Sequence, residues 1–235
     1  MRRDIIIADD FYADPRAVVR HAYSLEYISP YDGAAADDAV RWRTSRWRPA
    51  SACPFKSSAA LIERFEFLTG EMVDREHWNR EFPLDERGHL SPGYERVSRG
   101  CWWNCSFHVK HHSQVLGELV HNHTDRDIWN SVGEDGWVGL IYLNEDAPTS
   151  AGLHTWRNVD PARQYDWMTP KENWIHIDAF GNVFNRLLLH RGCAPHSGAG
   201  GWGVRLEEGR LYQTFFFRTI GVREVESLGI DDIRL

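Results

Sequence analysis

Apolar residues keep a helical spacing in two stretches near the N-terminus and a strand-like spacing through most of the second half. The run Ile5-Ile6-Ile7 predicts a short strand over Asp4 to Ala8. Asp14 followed by Pro15 predicts a helix over 15–24, since the carboxylate can cap free amides, proline fits the first turn, and Val18, Val19 and Ala22 share one face. Ser57 or Ser58 opens a second helix, in which Leu61, Ile62, Phe65 and Leu68 keep the helical interval until Gly70 stops it. Both helices are expected on the outside of a sheet. Residues 75–100, with their prolines, glycines and charges, read as loop with room for short strands. From Cys101 onward short β-runs alternate with Gly, Asn, Asp and Pro, the pattern of an antiparallel barrel or sandwich, with Asn185 to Leu189 as a buried strand.

A chain of 235 residues fits one large domain over 1–235, in which 1–100 supports a barrel core at 101–220. The net charge of -7 argues against a general nucleic-acid binder, which must neutralise phosphates with Lys and Arg. The N-terminal apolar run is too short for a signal peptide, and no run of membrane-spanning length occurs. A cytoplasmic protein, monomer or homodimer, with neither a membrane nor a nucleic-acid partner, is therefore expected. Cys53, Cys101, Cys105 and Cys193 form no C-x-x-C pair and read as reduced thiols; Cys101, Cys105 and His108 could make a zinc site but read more simply as strand residues. The stretch RWRTSRWR at 41–48 can bind a substrate carboxylate or phosphate, or form a solvated strand with paired arginines.

The chemistry concentrates in HNHTDRDIW (121–129) and CAPHSG (193–198). Residues two apart on a strand point the same way, so His123 and Asp125 can grip one ion, and His196 supplies a third ligand. Two neutral imidazoles and one carboxylate fill one face of an octahedral iron(II) ion and leave the other face open. His121 and His123 also make an H-x-H pair, and with His196 they form a three-imidazole alternative of the cupin type. His108, His111 and His112 read as strand or turn residues, while His190 competes with His196 for the later position. Arg205 and Arg210 follow, Arg210 opening the aromatic strand GRLYQTFFF (209–217). Trp129, Trp137, His154, Trp156 and Arg157 are candidates for contacting a substrate.

The order His123-Thr124-Asp125, Tyr142-Leu143-Asn144, a Gly-containing turn at 152, Pro195-His196, then Arg210 resembles the iron(II)/2-oxoglutarate-dependent dioxygenases, in their prolyl-hydroxylase-like branch. The resemblance covers roughly residues 95–220, and His154 departs from it by standing where the family has a Gly-Gly-Thr-like turn. It implies a mainly β fold with flanking helices, a double-stranded β-helix (jelly-roll, cupin-like barrel), with His123, Asp125 and His196 on iron(II). It further implies that Arg210, with Arg205 in reserve, pairs with the distal carboxylate of 2-oxoglutarate. The expected activity is O2-dependent hydroxylation of a small molecule such as an amino acid or natural-product intermediate, with release of succinate and CO2. An intact Asp125 points, within that family, to hydroxylation, desaturation or cyclisation and away from halogenation. Two other readings stand beside it: a cupin-like metalloenzyme using His121, His123 and His196 without 2-oxoglutarate, and a non-catalytic binding barrel.

Overall fold

The central strands are buried on both faces, and this settles the layering. The computed structural model describes residues 4–28, 42–45, 53–80, 104–111, 119–124, 131–166 and 169–223, with 42–45 and 169–170 described by backbone alone. The strands are β1 (Ile5–Ala8), β2 (Tyr27–Ile28), β3 (Trp42–Ser45), β4 (Glu71–Val73), β5 (Phe107–Lys110), β6 (Leu119–Val120) and β7 (Trp137–Tyr142). They continue with β8 (Leu153–Asn158), β9 (Thr169–Pro170), β10 (Trp174–Phe180), β11 (Leu187–Arg191), β12 (His196–Gly198), β13 (Arg210–Phe217) and β14 (Thr219–Val222). The helices are α1 (Pro15–Tyr23), α2 (Ala59–Thr69) and α3 (Arg75–Asn79).

A seven-stranded sheet runs β1-β11-β7-β13-β5-β3-β2, and a three-stranded sheet runs β10-β8-β12. Pairing is antiparallel throughout both. The β6-β9 pair joins the smaller sheet through an antiparallel bridge between His121 and His196. The barrel core is thus β11-β7-β13-β5 facing β10-β8-β12-β6, a jelly-roll with the first strand and helices added outside.

Along β7 the side chains alternate between two apolar layers. Ile141 and Trp137 join Phe65, Trp78, Phe107, Phe215 and Phe217 in the outer core, whereas Leu140 and Tyr142 join Leu153 and Leu188 between the sheets. The outer core is where the helices dock. Asp14 accepts from Ala17 N at 2.9 Å to start α1, as the Asp-Pro pair predicts. Ser58 accepts from Leu61 N at 3.2 Å to start α2, and Gly70 ends it with φ 71, a left-handed conformation that glycine adopts without steric cost. Phe65 then reaches the sheet, its ring 4.9 Å from Phe215 and 5.1 Å from Phe217.

One stretch differs from the sequence expectation. Arg75–Asn79, at the head of the predicted loop, is helical, because Asp74 caps it through His77 N at 3.0 Å and the turn buries His77 and Trp78. The Arg/Trp stretch lies outside the described residues except for the backbone of Trp42–Ser45, which forms β3. No described helix is long and apolar enough to cross a membrane.

A polar latch ties the outer helical layer to the barrel. Arg191, at the end of β11, bonds both oxygens of Glu71 at 2.5 and 3.1 Å and lies 3.9 Å above the Trp137 ring. Trp137 Nε1 and Thr219 Oγ1 donate to the same carboxylate at 3.0 and 2.8 Å. Burial pushes the Glu71 carboxyl up, but the donors from Arg191, Trp137 and Thr219 outweigh it and hold it below its ordinary 4.5. The stabilisation is therefore complete at neutral pH and is withdrawn as pH falls through the lowered value. Arg191→Met is expected to cost about 2–4 kcal/mol at pH 7 in denaturant unfolding, with the deficit shrinking below pH 4.5. An equal deficit at pH 3 and pH 7 would contradict this.

Candidate metal centre

His121 and His196 face each other across the join of β6 and β12. His121 N donates to His196 O at 2.9 Å and His196 N donates to His121 O at 2.8 Å, so each backbone closes the other's hydrogen bonds. Directly opposed residues project side chains to one face, and their rings stand 4.3 Å apart. His123 follows two positions on and is pinned from both sides: its N–H donates to Gly192 O at 2.7 Å and its carbonyl accepts from Val132 N at 3.0 Å. Gly192 has no alternative here, since a Cβ would meet Gly133 O at 2.1 Å. The His123 ring lies 5.3 Å from His121 and 5.1 Å from His196, with Phe216 edge-on at 5.1 Å.

One ring nitrogen from each of His121, His123 and His196 lies within 4.8 Å of the other two. The donor set fits a metal ion. His196 Nδ1 lies 2.9 Å from the Ala194 carbonyl, which can only accept, so that nitrogen carries the proton and Nε2 presents a lone pair. Burial, then the neighbouring His190, His121 and His123, push His196 well below its usual pKa, which keeps it neutral as a ligand must be. Neutral imidazoles suit iron, zinc, nickel or copper. Asp125, which the sequence pattern nominates, lies outside the described residues, as do Trp129, His112 and Cys101.

The arginines separate clearly. Arg205 is exposed and ion-paired with Glu208 on the same turn. Arg210 opens β13 and is only 3% exposed. Its Nη1 and Nη2 donate to the Ala199 and Gly152 carbonyls at 3.1 and 3.4 Å, while its Nε meets no partner among the described residues. Among the described residues it has no carboxylate partner. The guanidinium lies 5.0 Å from the Tyr212 ring and 5.7 Å from the Tyr142 ring. Lys110, opposite Arg210 on β5, donates to the same Ala199 carbonyl at 2.9 Å. The Tyr142-Leu143-Asn144 motif explains the placement: Asn144 donates to Gly209 O at 3.0 Å and accepts from Leu211 N at 2.7 Å, clamping the residues on either side of Arg210.

Arg210 and the imidazoles share one space. A Cβ on Gly198 would lie 3.5 Å from Arg210 Nη1, and Gly198 is two residues from His196 along β12, about 7 Å of strand. Among the described residues Tyr142 OH and Thr155 Oγ1 are buried there without hydrogen-bond partners, as is His190 Nε2 on β11. Burial pushes the Tyr142 phenol up to about 12 against the pull of Arg210, so it remains an O–H donor at neutral pH. Burial also brings His190 down to about 4.

The described substrate candidates, Trp137, His154, Trp156 and Arg157, fall elsewhere. Trp137 sits in the outer core, bonded to Glu71, because both faces of β7 are buried and its register turns it toward the helices. Thr155 opposes His196 and so faces inward; His154 and Trp156 alternate with it and face outward, bonded to His176 (3.1 Å) and Ser197 (2.9 Å). Arg157 is exposed. Sequence reasoning passed over Lys110 and the role of Asn144, and it treated His190 only as a rival to His196.

No protein-family model matches the sequence, and no curated protein matches it. Solved structures do. The non-haem α-ketoglutarate-dependent epimerase SnoN from nogalamycin biosynthesis aligns at TM-score 0.52 and 12% identity over 99% of this chain and 89% of its own. HygX from Streptomyces hygroscopicus, solved with nickel and 2-oxoglutarate bound, aligns at 0.50 and 11% over 97% and 89%. A Trichoplax adhaerens prolyl hydroxylase in complex with a hypoxia-inducible-factor peptide aligns at 0.48 and 16% over 91% and 83%. At these identities the shared property is the fold, and the first two place this chain among jelly-rolls of that kind.

His123→Ala and His196→Ala are each expected to weaken anaerobic Fe(II) or Ni(II) binding by more than about 100-fold in equilibrium dialysis. Wild-type affinity in both variants would contradict a metal centre at this cluster.

Proposed function

We propose that the protein is an iron(II)/2-oxoglutarate-dependent oxygenase acting on a small molecule. The observation that carries this reading is the buried Arg210 guanidinium, bonded only to neutral carbonyls and set about two strand residues from His196. A cation in that position suits a carboxylate, which a guanidinium meets with parallel charge-assisted bonds. The fold shared with SnoN and with HygX, whose structure holds nickel and 2-oxoglutarate, supports the same co-substrate.

His123 and His196 hold the metal in this reading, with Asp125 as the third ligand and His121 beside it. Arg210, whose Nε is open, would receive the distal carboxylate of the co-substrate, and the buried Tyr142 OH would donate to it. Leu140, Leu153, Leu188 and Phe216 wall the space between the sheets with apolar surface. The bound iron, with 2-oxoglutarate and O2, supplies an oxidant for an unactivated C–H bond while succinate and CO2 leave. The chain's part is to bind and orient. Hydroxylation is the outcome we favour; SnoN's description as an epimerase shows that its fold also carries other outcomes. We place the substrate among small natural-product intermediates, in line with the nogalamycin pathway named for SnoN.

A second reading has one specific observation behind it. The imidazoles of His121, His123 and His196 alone could make a cupin-like centre that uses no 2-oxoglutarate. Arg210 weighs against it, because such a site leaves the buried guanidinium without an anion. Protein supplied with Fe(II), O2 and 2-oxoglutarate is expected to form succinate slowly without prime substrate, and Arg210→Met to raise the KM for 2-oxoglutarate about 100-fold with metal affinity unchanged. Metal-loaded protein that forms no succinate would favour the three-imidazole centre.

A further inference from the structure

His190 is a fully buried imidazole that the proposed chemistry leaves unused. It follows Leu188 by two positions on β11, and Leu188 packs with Tyr142 and Leu153 between the sheets, so His190 projects into the same space. Its ring stands 4.2 Å from His196 and 6.5 Å from His123. Nδ1 lies 2.9 Å from the Arg191 carbonyl. A carbonyl only accepts, so Nδ1 carries the proton and Nε2 keeps its lone pair.

Among the described residues no hydrogen-bond partner meets that Nε2. His196 cannot serve as one, since its own N–H is directed to Ala194 O and its remaining nitrogen is also an acceptor. Two acceptors cannot bond each other, and a buried acceptor left open is costly. The missing group is a donor, one that arrives with whatever fills the centre. The metal itself does not answer the need, because the ring nitrogens that converge belong to His121, His123 and His196.

We propose that His190 Nε2 accepts a hydrogen bond from a water molecule carried by the metal that His123 and His196 hold. His190 is then a positioning residue for the exchangeable ligand and not a ligand itself. This rests on the metal-centre reading above. Water is the ligand of choice because it fits a close-packed interior and a cation sharpens its O–H as a donor. His190 would thereby orient a water at the centre while the metal is held by the other imidazoles.

Mn(II) is the probe, with its Kd taken from the free-ion paramagnetic resonance signal and its bound water from solvent proton relaxation. His190→Phe keeps a ring of similar shape without the lone pair; His190→Leu replaces it if the ring does not fold. Kd is expected to rise about tenfold and the relaxation enhancement per bound Mn(II) to fall, while the metal-free melting temperature does not drop. His190→Gln, whose amide oxygen reaches the position of Nε2 and so retains an acceptor there, is expected to recover both properties in large part. Wild-type Kd and enhancement in His190→Phe would overturn the proposal, and so would equal losses in the Phe and Gln variants, which would mean packing alone. Wild-type protein that binds no Mn(II) would instead bring down the metal-centre reading and this proposal with it.

Discussion

Two main-chain hydrogen bonds between His121 and His196 are the constraint on which the rest of the centre depends. They join β6 to β12, and so make a four-stranded sheet of β10-β8-β12-β6 to face the larger one. The same two bonds put two imidazoles on one face, and the strand alternation brings His123 to it. Fold closure and site assembly are thus one event. A residue that disturbed this pairing would open the barrel and scatter the nitrogens together.

The interior around those nitrogens is unusually rich in polar groups without partners. Tyr142 OH, Thr155 Oγ1, Arg210 Nε and His190 Nε2 are all buried and unbonded. Each such group destabilises the fold by about 1–3 kcal/mol. The outer core of Phe65, Trp78, Phe107, Phe215 and Phe217 offsets that cost, and the Arg191–Glu71 latch holds the helical layer in place above it. The outer face of β7 and β13 carries the large apolar core, and these four polar groups gather on the other. That division is what a binding site between two sheets requires.

Much of this was legible in the chain because it is local. Asp14-Pro15 and Ser58 with Gly70 mark helix ends through contacts within a few residues, and the structure places both helices there. The β-rich second half and its jelly-roll closure followed from the run of short strands and from the resemblance. Strand alternation, however, gives a period without a phase. The run LHTWRN cannot say whether Thr155 or Trp156 faces inward, and only its pairing with β12 decides that. Trp137 misled for a related reason: β7 is buried on both faces, so hydrophobicity does not tell the helical side from the pocket side. His190 and Arg210 acquire meaning only from neighbours on other strands, which no local pattern reveals. The short helix at Arg75–Asn79 was hidden by its charged surface residues, although Asp74 stands at its start as a cap.

We propose that the imidazole centre and the Arg210 cation serve one co-substrate. Anaerobic addition of 2-oxoglutarate to the Fe(II)-loaded protein tests it most directly, because chelation by the keto acid produces a weak visible metal-to-ligand charge-transfer band. The band is expected to appear, to saturate at one 2-oxo acid per iron, and to be far weaker at equal concentration with a 2-oxo acid lacking the distal carboxylate. A fully iron-loaded protein that shows no band at saturating 2-oxoglutarate would contradict it.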